Sequence, residues 1–276
     1  MQGEIITDQA GKEEAFFEAY NALLGTIQNR EVTFDLQNLG IPMHNLEDLG
    51  ELFSEEEIWG TIKEMPLDRA PGPDGFIGAF YQRAWPVIKE DVMAAILKLY
   101  VGDGRNFGRL NRALITLIPK KTDAQEIGDY RPISLVHSFA KLFSKVLANR
   151  LRTRMQQLVS CNQSAFIKGR SLHDNFLLVR QLARKINYRK ETGVFLKLDI
   201  SRAFDSLSWS FLFEVLRQMG FPEICLRWIA IALRTASTKI LVNGVPGRRI
   251  SHARGLRQGD PCPRCSSYSP WRSPQH

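Results

Sequence analysis

Residues 193 to 200, GVFLKLDI, restrict the architecture more than any other stretch: a short β-type run, mostly apolar, whose last polar residue is Asp199. A strand of that composition is buried on both faces. It therefore needs packing partners on either side, and the neighbouring segments can supply them. FLLVRQLARKINYRK at 176 to 190 repeats its apolar residues at helical spacing. After the run, Ser208 is placed to cap a helix from about Trp209 to Met219, in which Leu212, Val215, Leu216 and Met219 form one stripe before Gly220 ends it. A second short helix is predicted over 222 to 235. TKILVNGVPGRRI at 238 to 250 then puts Asn243 and Gly244 between two β-type runs, a hairpin signal. The implied class is α+β.

The first 192 residues fit the same class. Residues 11 to 65 read as helical and acidic, with Ser54 ahead of Glu55, Glu56 and Glu57 as an N-cap and a charge-complemented first turn, and a helix predicted to about Met65. RAPGPDG at 69 to 75 concentrates proline, glycine and aspartate and must be a fixed turn or loop. A helix from about Gly78 to Tyr100 follows. RALITLIP at 112 to 119 reads as a strand with Lys120 and Lys121 at its end. DYRPISL at 129 to 135 leads into a long amphipathic helix. Val136, Phe139, Phe143, Val146 and Leu147 form its inner stripe, and Lys141, Lys145, Arg150, Arg152 and Arg154 are expected on a basic outer face.

Charge points to a class of partner. The net +8 hides an asymmetry, because residues 1 to 65 hold 14 acidic against 3 basic side chains, while residues 66 to 276 hold 15 against 34. A basic body attracts polyanions, nucleic acid first among them, although solvated lysine faces have the same composition. Cys161, Cys225, Cys262 and Cys265 are too sparse for a disulfide framework. Cys262 and Cys265 make a CxxC with no second pair or histidine cluster to complete a zinc site. The start, MQGEIITDQAGKEE, lacks the pattern of a signal peptide, and no apolar run approaches the roughly 18 residues of a membrane span. A soluble, unsecreted protein of cytoplasm or nucleus is expected.

Asp199, taken alone, is an ordinary strand-end aspartate. Its surroundings give it more meaning. LDISRAFD at 198 to 205 and GLRQGDP at 255 to 261 resemble two palm motifs of reverse transcriptases, especially those of non-LTR (LINE-type) retrotransposons and group II intron maturases. LIPK at 117 to 120 and DYRPISL resemble the fingers motifs, and APGPDG at 70 to 75 and QSAFIKGRSLHDN at 163 to 175 match the LINE-type pattern in the same order. The resemblance covers residues 50 to 261. It implies right-hand polymerase fingers and a partial palm, and template copying by two-metal nucleotidyl transfer, in which carboxylates hold two cations about 4 Å apart.

Carried over residue by residue, Asp199 is the catalytic metal ligand, for Mg²⁺. Phe204 is a steric gate under the sugar, favouring deoxynucleotides. Gln258 and Gly259 approach the nascent base pair and template. Lys120 and Arg131 grip the triphosphate, and Lys168 and Arg170 meet the template backbone. The implied partners are an RNA template, a DNA primer and deoxynucleoside triphosphates, with no membrane. Without the resemblance, Phe204 is a core aromatic, Asp205 a helix N-terminal carboxylate, and the cations surface charges.

The domain reading divides the chain into an acidic helical extension at 1 to 65, a fingers-like region with part of the palm at 66 to 193, a partial palm at 194 to 261 and an aberrant tail at 262 to 276. The family continues past QGDP with a helix beginning LSP and a hairpin bearing two aspartates; here Asp260 is the only aspartate after Asp205. The chain is accordingly expected to be incomplete at its C-terminus and inactive alone, the alternative being a non-catalytic nucleic-acid-binding remnant. The tail CPRCSSYSPWRSPQH has no apolar period. Its codons read one nucleotide earlier permit LSPMLFLLAMEV, which implies a frameshift or a misplaced exon boundary. Sequencing the transcript across codons 255 to 276 and several hundred bases beyond is expected to recover LSP and an aspartate-pair hairpin in the shifted frame. A message with neither in any frame would refute the reading.

Overall fold

The β-type run at Arg112–Pro119 becomes β1, an inner strand of a four-stranded sheet, in a computed structural model that describes residues 5–27, 30, 32–33, 35–165, 167, 169–194, 196, 198 and 204–257. In chain order the elements are α1 (Gln9–Leu24), α2 (Glu55–Lys63), α3 (Gly78–Tyr100), α4 (Phe107–Leu110), β1, β2 (Tyr130–Val136), α5 (Ser138–Leu158), α6 (Leu172–Arg189), α7 (Trp209–Gln218), α8 (Glu223–Arg234), β3 (Ser237–Val242) and β4 (Val245–Ser251). The sheet order is β2-β1-β3-β4. β1 runs antiparallel to β2, from Ala113 opposite Val136 to Pro119 opposite Tyr130, and parallel to β3, from Arg112 opposite Ser237 to Ile115 opposite Ile240. The β3–β4 hairpin turns at Asn243 and Gly244, with φ of 52° and 81°, the conformation that matches strand twist in a two-residue loop.

Most helices fall where the apolar spacing put them. The N-terminal segment differs. Its helices are α1, capped by Asp8, and the short α2, whose Ser54 hydroxyl accepts from the Glu57 N–H at 3.2 Å. Residues 25 to 54 have no α-helix among the described residues, since Gly25, Gly40 and Pro42 interrupt any helical period. DYRPISL holds strand β2, which the sequence reading passed over. Pro132 cannot donate to a ladder, and β2 tolerates it because it is an edge strand.

The expectation for residues 193 to 200 fares differently. Val194, Leu196 and Leu198 are 96, 74 and 79% exposed and belong to no strand. Burial on both faces is therefore not what these residues show, because no described element covers them. Residues 195, 197, 199 and 200 lie outside the described residues, as does the tail. α6 buries none of its residues either.

Two cores hold the rest. The larger joins Leu46, Phe53, Ile58, Ile62, Trp85, Ile96, Phe143, Val146 and Trp228, from the loop before α2 and from α2, α3, α5 and α8. The smaller lies between α1 and the sheet, where Tyr20 and Leu24 meet Ile115, Ile240, Val242 and Ile250.

The RAPGPDG loop clasps the junction of β2 and α5. Asp74 Oδ2 accepts from the Ser138 N–H at 2.7 Å and the Ser138 hydroxyl at 2.5 Å, so a residue 64 positions away caps α5. Gly72 lies against the Val136 carbonyl so closely that a Cβ there would stand 2.1 Å from its oxygen. Gly72→Ala is thus expected to lower the urea midpoint more than Asp74→Ala, whose lost cap costs about 1 to 2 kcal/mol; equal midpoints for wild type and Gly72→Ala would contradict this packing.

Candidate functional site

Loop 121–129 folds β1 back into β2 and spends charge doing so. Lys120 Nζ donates to the Gly128 carbonyl at 2.7 Å, and Lys121 pairs with Asp129 at 3.1 Å. N–H bonds from Glu126 and Gln125, with Lys121, hold the Asp129 carboxyl below its ordinary range, the Glu126 bond contributing most among these. The cationic strand end expected from sequence is thus reduced to one lysine with a carbonyl partner.

Beside this hairpin lies a cavity of about 490 Å³, lined among others by Tyr20, Leu23 and Leu24 of α1, Ile115, Lys120, Tyr130, Arg131, Pro132, Ser134, Asp205, His252, Leu256 and Arg257. Its size suits a nucleotide-sized ligand. Strand alternation places Tyr130, Pro132 and Ser134 on one face of β2, and Arg131 with Ile133 on the other. Arg131 therefore borders the cavity from an alternating position. Its guanidinium makes no hydrogen bond or ion pair with another described residue.

Phe204 and Asp205 precede α7 in a turn, where Leu256 N–H donates to the Phe204 carbonyl at 2.8 Å and Gly255 N–H to the Leu207 carbonyl at 2.8 Å. Gly255 takes φ 72°, and a Cβ on it would stand 2.4 Å from the Asp205 carbonyl oxygen. The turn at 204–207 and the described residues 255–256 are thereby laid against each other. Phe204 is 39% exposed, so it is no core aromatic. Asp205 stands on the cavity wall, ahead of the first turn of α7.

Arg257, His252 and Asn111 are buried polar groups that the sequence reading did not single out. Arg257 donates to the Asn111 main-chain carbonyl at 3.0 Å and to its Oδ1, and His252 Nε2 bonds Thr238 Oγ1 at 3.2 Å. A charge inside GLRQGDP was the available signal for Arg257. Nothing local marks Asn111.

Arg170 has other work in this structure: its guanidinium donates to the carbonyls of Gln156, Val159, Ser160 and Gln163, closing the C-terminal end of α5. Asp199, Lys168, Gln258 and Gly259 lie outside the described residues. Among the described residues no group of three or more His, Cys, Asp or Glu is placed to hold a metal, and Asp205 is the one carboxylate on the cavity wall. The described residues do not by themselves make a two-metal site. No described helix is long and apolar enough to cross a membrane.

The described residues form a mixed α/β architecture with a four-stranded sheet and a cavity bordered by Lys120, Arg131 and Arg257. Residues 118–263 match the reverse transcriptase (RNA-dependent DNA polymerase) family, and since that is more than half of the chain, the protein belongs to this family. The relatives are named as transposon or retrotransposon proteins, which supports a reverse transcriptase domain of a LINE-type element. The chain is 27% identical over 209 residues to the transposon TX1 uncharacterized 149 kDa protein of Xenopus laevis, covering 75% of this chain and 16% of that one. It is 26% identical over 218 residues to the Pol polyprotein of retrotransposable element R2DM of Drosophila melanogaster, covering 79% and 20%. With the R2 Pol polyprotein of Nasonia vitripennis the identity is 28% over 202 residues, covering 72% and 19%. The chain thus spans a fifth or less of these relatives' lengths. Reverse transcriptases as a family use a divalent metal and bind a nucleic-acid template, a primer and nucleotides.

Burial, and secondarily the Arg257 charge, pushes the His252 imidazole down to about 3. The unfolded chain, with an ordinary histidine, binds the proton first, so His252 makes stability fall as pH drops from about 6.5 toward 3. The unfolding free energy of wild type from urea titrations is expected to decline across pH 6.5 to 5, by on the order of 1 kcal/mol per pH unit at most from this group. His252→Gln should flatten that slope; an unchanged slope would show that carboxylates alone set it.

Proposed function

We propose that this chain forms the nucleotide- and template-handling part of an RNA-directed DNA polymerase. Lys120 and Arg131 grip the triphosphate, Phe204 underlies the deoxyribose, and Gln258 and Gly259 approach the nascent base pair. Lys168 and Arg170 meet the template backbone, and Asp199 would hold a Mg²⁺, which would supply activation of a primer 3′ hydroxyl and neutralisation of phosphate charge. The supporting observation is that Lys120 and Arg131, from the two ends of a hairpin loop, border one nucleotide-sized cavity together with Asp205 and Arg257. For Arg170 to meet a template it must exchange carbonyl partners for phosphates, which guanidinium chemistry allows.

Charge-assisted contacts of this kind contribute about 1.5 to 3 kcal/mol each. Equilibrium binding of deoxyadenosine triphosphate with Mg²⁺ is therefore expected to weaken about tenfold or more in Lys120→Ala and in Arg131→Ala. Arg131→Ala should leave the thermal midpoint unchanged, as the side chain is exposed. If both variants bind the nucleotide like wild type, the cavity is not the triphosphate site.

A further inference from the structure

α1 lies outside residues 118–263, which match the reverse transcriptase family, yet it supplies one wall of the cavity. That wall is mostly apolar: Ala19, Leu23 and Leu24 offer no side-chain donor or acceptor. The helix is fastened along its length. Phe16 meets the Tyr130 ring edge-on at 5.9 Å. At the C-terminal end the Arg254 guanidinium donates to the Leu23 carbonyl at 2.7 Å and the Ala22 carbonyl at 2.8 Å, and the Ala253 N–H donates to the Leu24 carbonyl at 2.7 Å. Withdrawing α1 would expose Ile115, Ile240, Val242 and Ile250 together with its own Tyr20 and Leu24. A ligand that displaced the helix would have to offset that lost burial, whereas a ligand bound with α1 in place would not.

The cavity is polarised along the sheet. Lys120 and Arg131 stand at the end where Pro119 is opposite Tyr130, and Ile115, opposite Ser134, lies four residues back along β1, roughly 13 Å at strand rise. α1 runs between these ends, since Phe16 touches Tyr130 while Tyr20 and Leu24 pack in the cluster that holds Ile115. Ala19 and Leu23 fall between them on the cavity side. Arg257, the other cation on the wall, directs its guanidinium to Asn111. A ligand with an anionic end and a flat apolar end fits this gradient.

We propose that α1 is the base-side wall of this cavity: in the absence of a template, Ala19 and Leu23 pack against the base of a nucleotide whose phosphates meet Lys120 and Arg131. This rests on the nucleotide-binding reading of the cavity. Because Ala19 and Leu23 carry no hydrogen-bonding side chain, they favour a base for its apolar faces and do not read its edge. Ala19 is partly exposed and belongs to neither core, so a larger side chain there fills the cavity without replacing a core residue.

The test is equilibrium binding of deoxyadenosine triphosphate and of inorganic tripolyphosphate, each with Mg²⁺, to the full chain without nucleic acid, beside thermal midpoints. Tripolyphosphate carries the phosphates and no base. Wild type is expected to bind the nucleotide more tightly than tripolyphosphate, and Ala19→Phe to weaken the nucleotide about tenfold while leaving tripolyphosphate within about twofold. Should Ala19→Phe show no folding transition, Ala19→Val carries the same comparison with a smaller loss. Nucleotide affinity left intact in a folded variant overturns the wall, as does a loss shared equally by tripolyphosphate. Wild type that holds tripolyphosphate as tightly as the nucleotide also overturns it. Wild type that binds neither ligand overturns the nucleotide-binding reading and the wall with it, whereas a nucleotide weakened by Lys120→Ala and not by Ala19→Phe overturns the wall alone.

Discussion

Arg150 is the contact on which the larger core depends. From the middle of α5 its guanidinium meets both carboxylate oxygens of Glu57, at 2.5 and 2.7 Å, and donates to the carbonyls of Leu49, Glu51 and Leu52. It also lies 4.1 Å from the Phe53 ring centre, and Trp228 packs against the same ring. The loop at 49 to 53 has no regular ladder of its own, so its carbonyls need a donor. Arg150 supplies it and seats Leu49 and Phe53 in the core. The pair is largely out of water, the two side chains being 13% and 23% exposed. Removing either partner would strand the other's charge, a loss of several kcal/mol where burial is full and less at this partial exposure.

The same contact explains where the acidic N-terminal charge goes. Arg154 pairs with Asp48, Lys145 and Arg152 with Glu64, and Lys89 with Glu55. Farther on, Arg248 bonds Glu14 and lies 3.8 Å from the Phe17 ring centre. The basic outer face expected of α5 is consequently a face paired with carboxylates from residues 48 to 64. Each exposed pair contributes little to stability. Their combined effect is electrostatic: a surplus of cations in the sequence overstates what is left for phosphates. Among the described residues the Arg131 guanidinium has no hydrogen-bond or ion-pair partner, whereas Lys145, Arg150, Arg152 and Arg154 of α5 are each paired with a carboxylate.

How far the sequence could be read follows the range of the forces involved. Ser54 as a cap, the Asn243–Gly244 turn, and the apolar stripes of α5 and α7 depend on neighbours within a few residues, and they were legible. β2 was hidden because Pro132 argues against a strand unless the strand is known to be an edge. The Asp74 cap joins residues 64 apart, and the Asn111 to Arg257 contact residues 146 apart. No local pattern encodes either. Of the cavity wall, the motif strings contain Lys120, Arg131 and Asp205, while α1 as a wall and the buried His252 came only with tertiary packing.

Register ties these distant features to the cavity. Side chains on a strand alternate between faces, so slipping β2 by one residue against β1 would put Arg131 and Ile133 where Pro132 and Ser134 now line the cavity. An edge strand containing proline has fewer ladder bonds with which to resist such a slip. The resistance comes from its end. Val136 is buried opposite Ala113, Gly72 abuts the Val136 carbonyl, and Asp74 holds Ser138 as α5 begins. With the last residue of β2 pinned between core and loop, the position of Arg131 five residues earlier is determined, and so is its place beside the cavity. The APGPDG motif, distant from the cavity in sequence and absent from its wall, thereby acts on it through strand register.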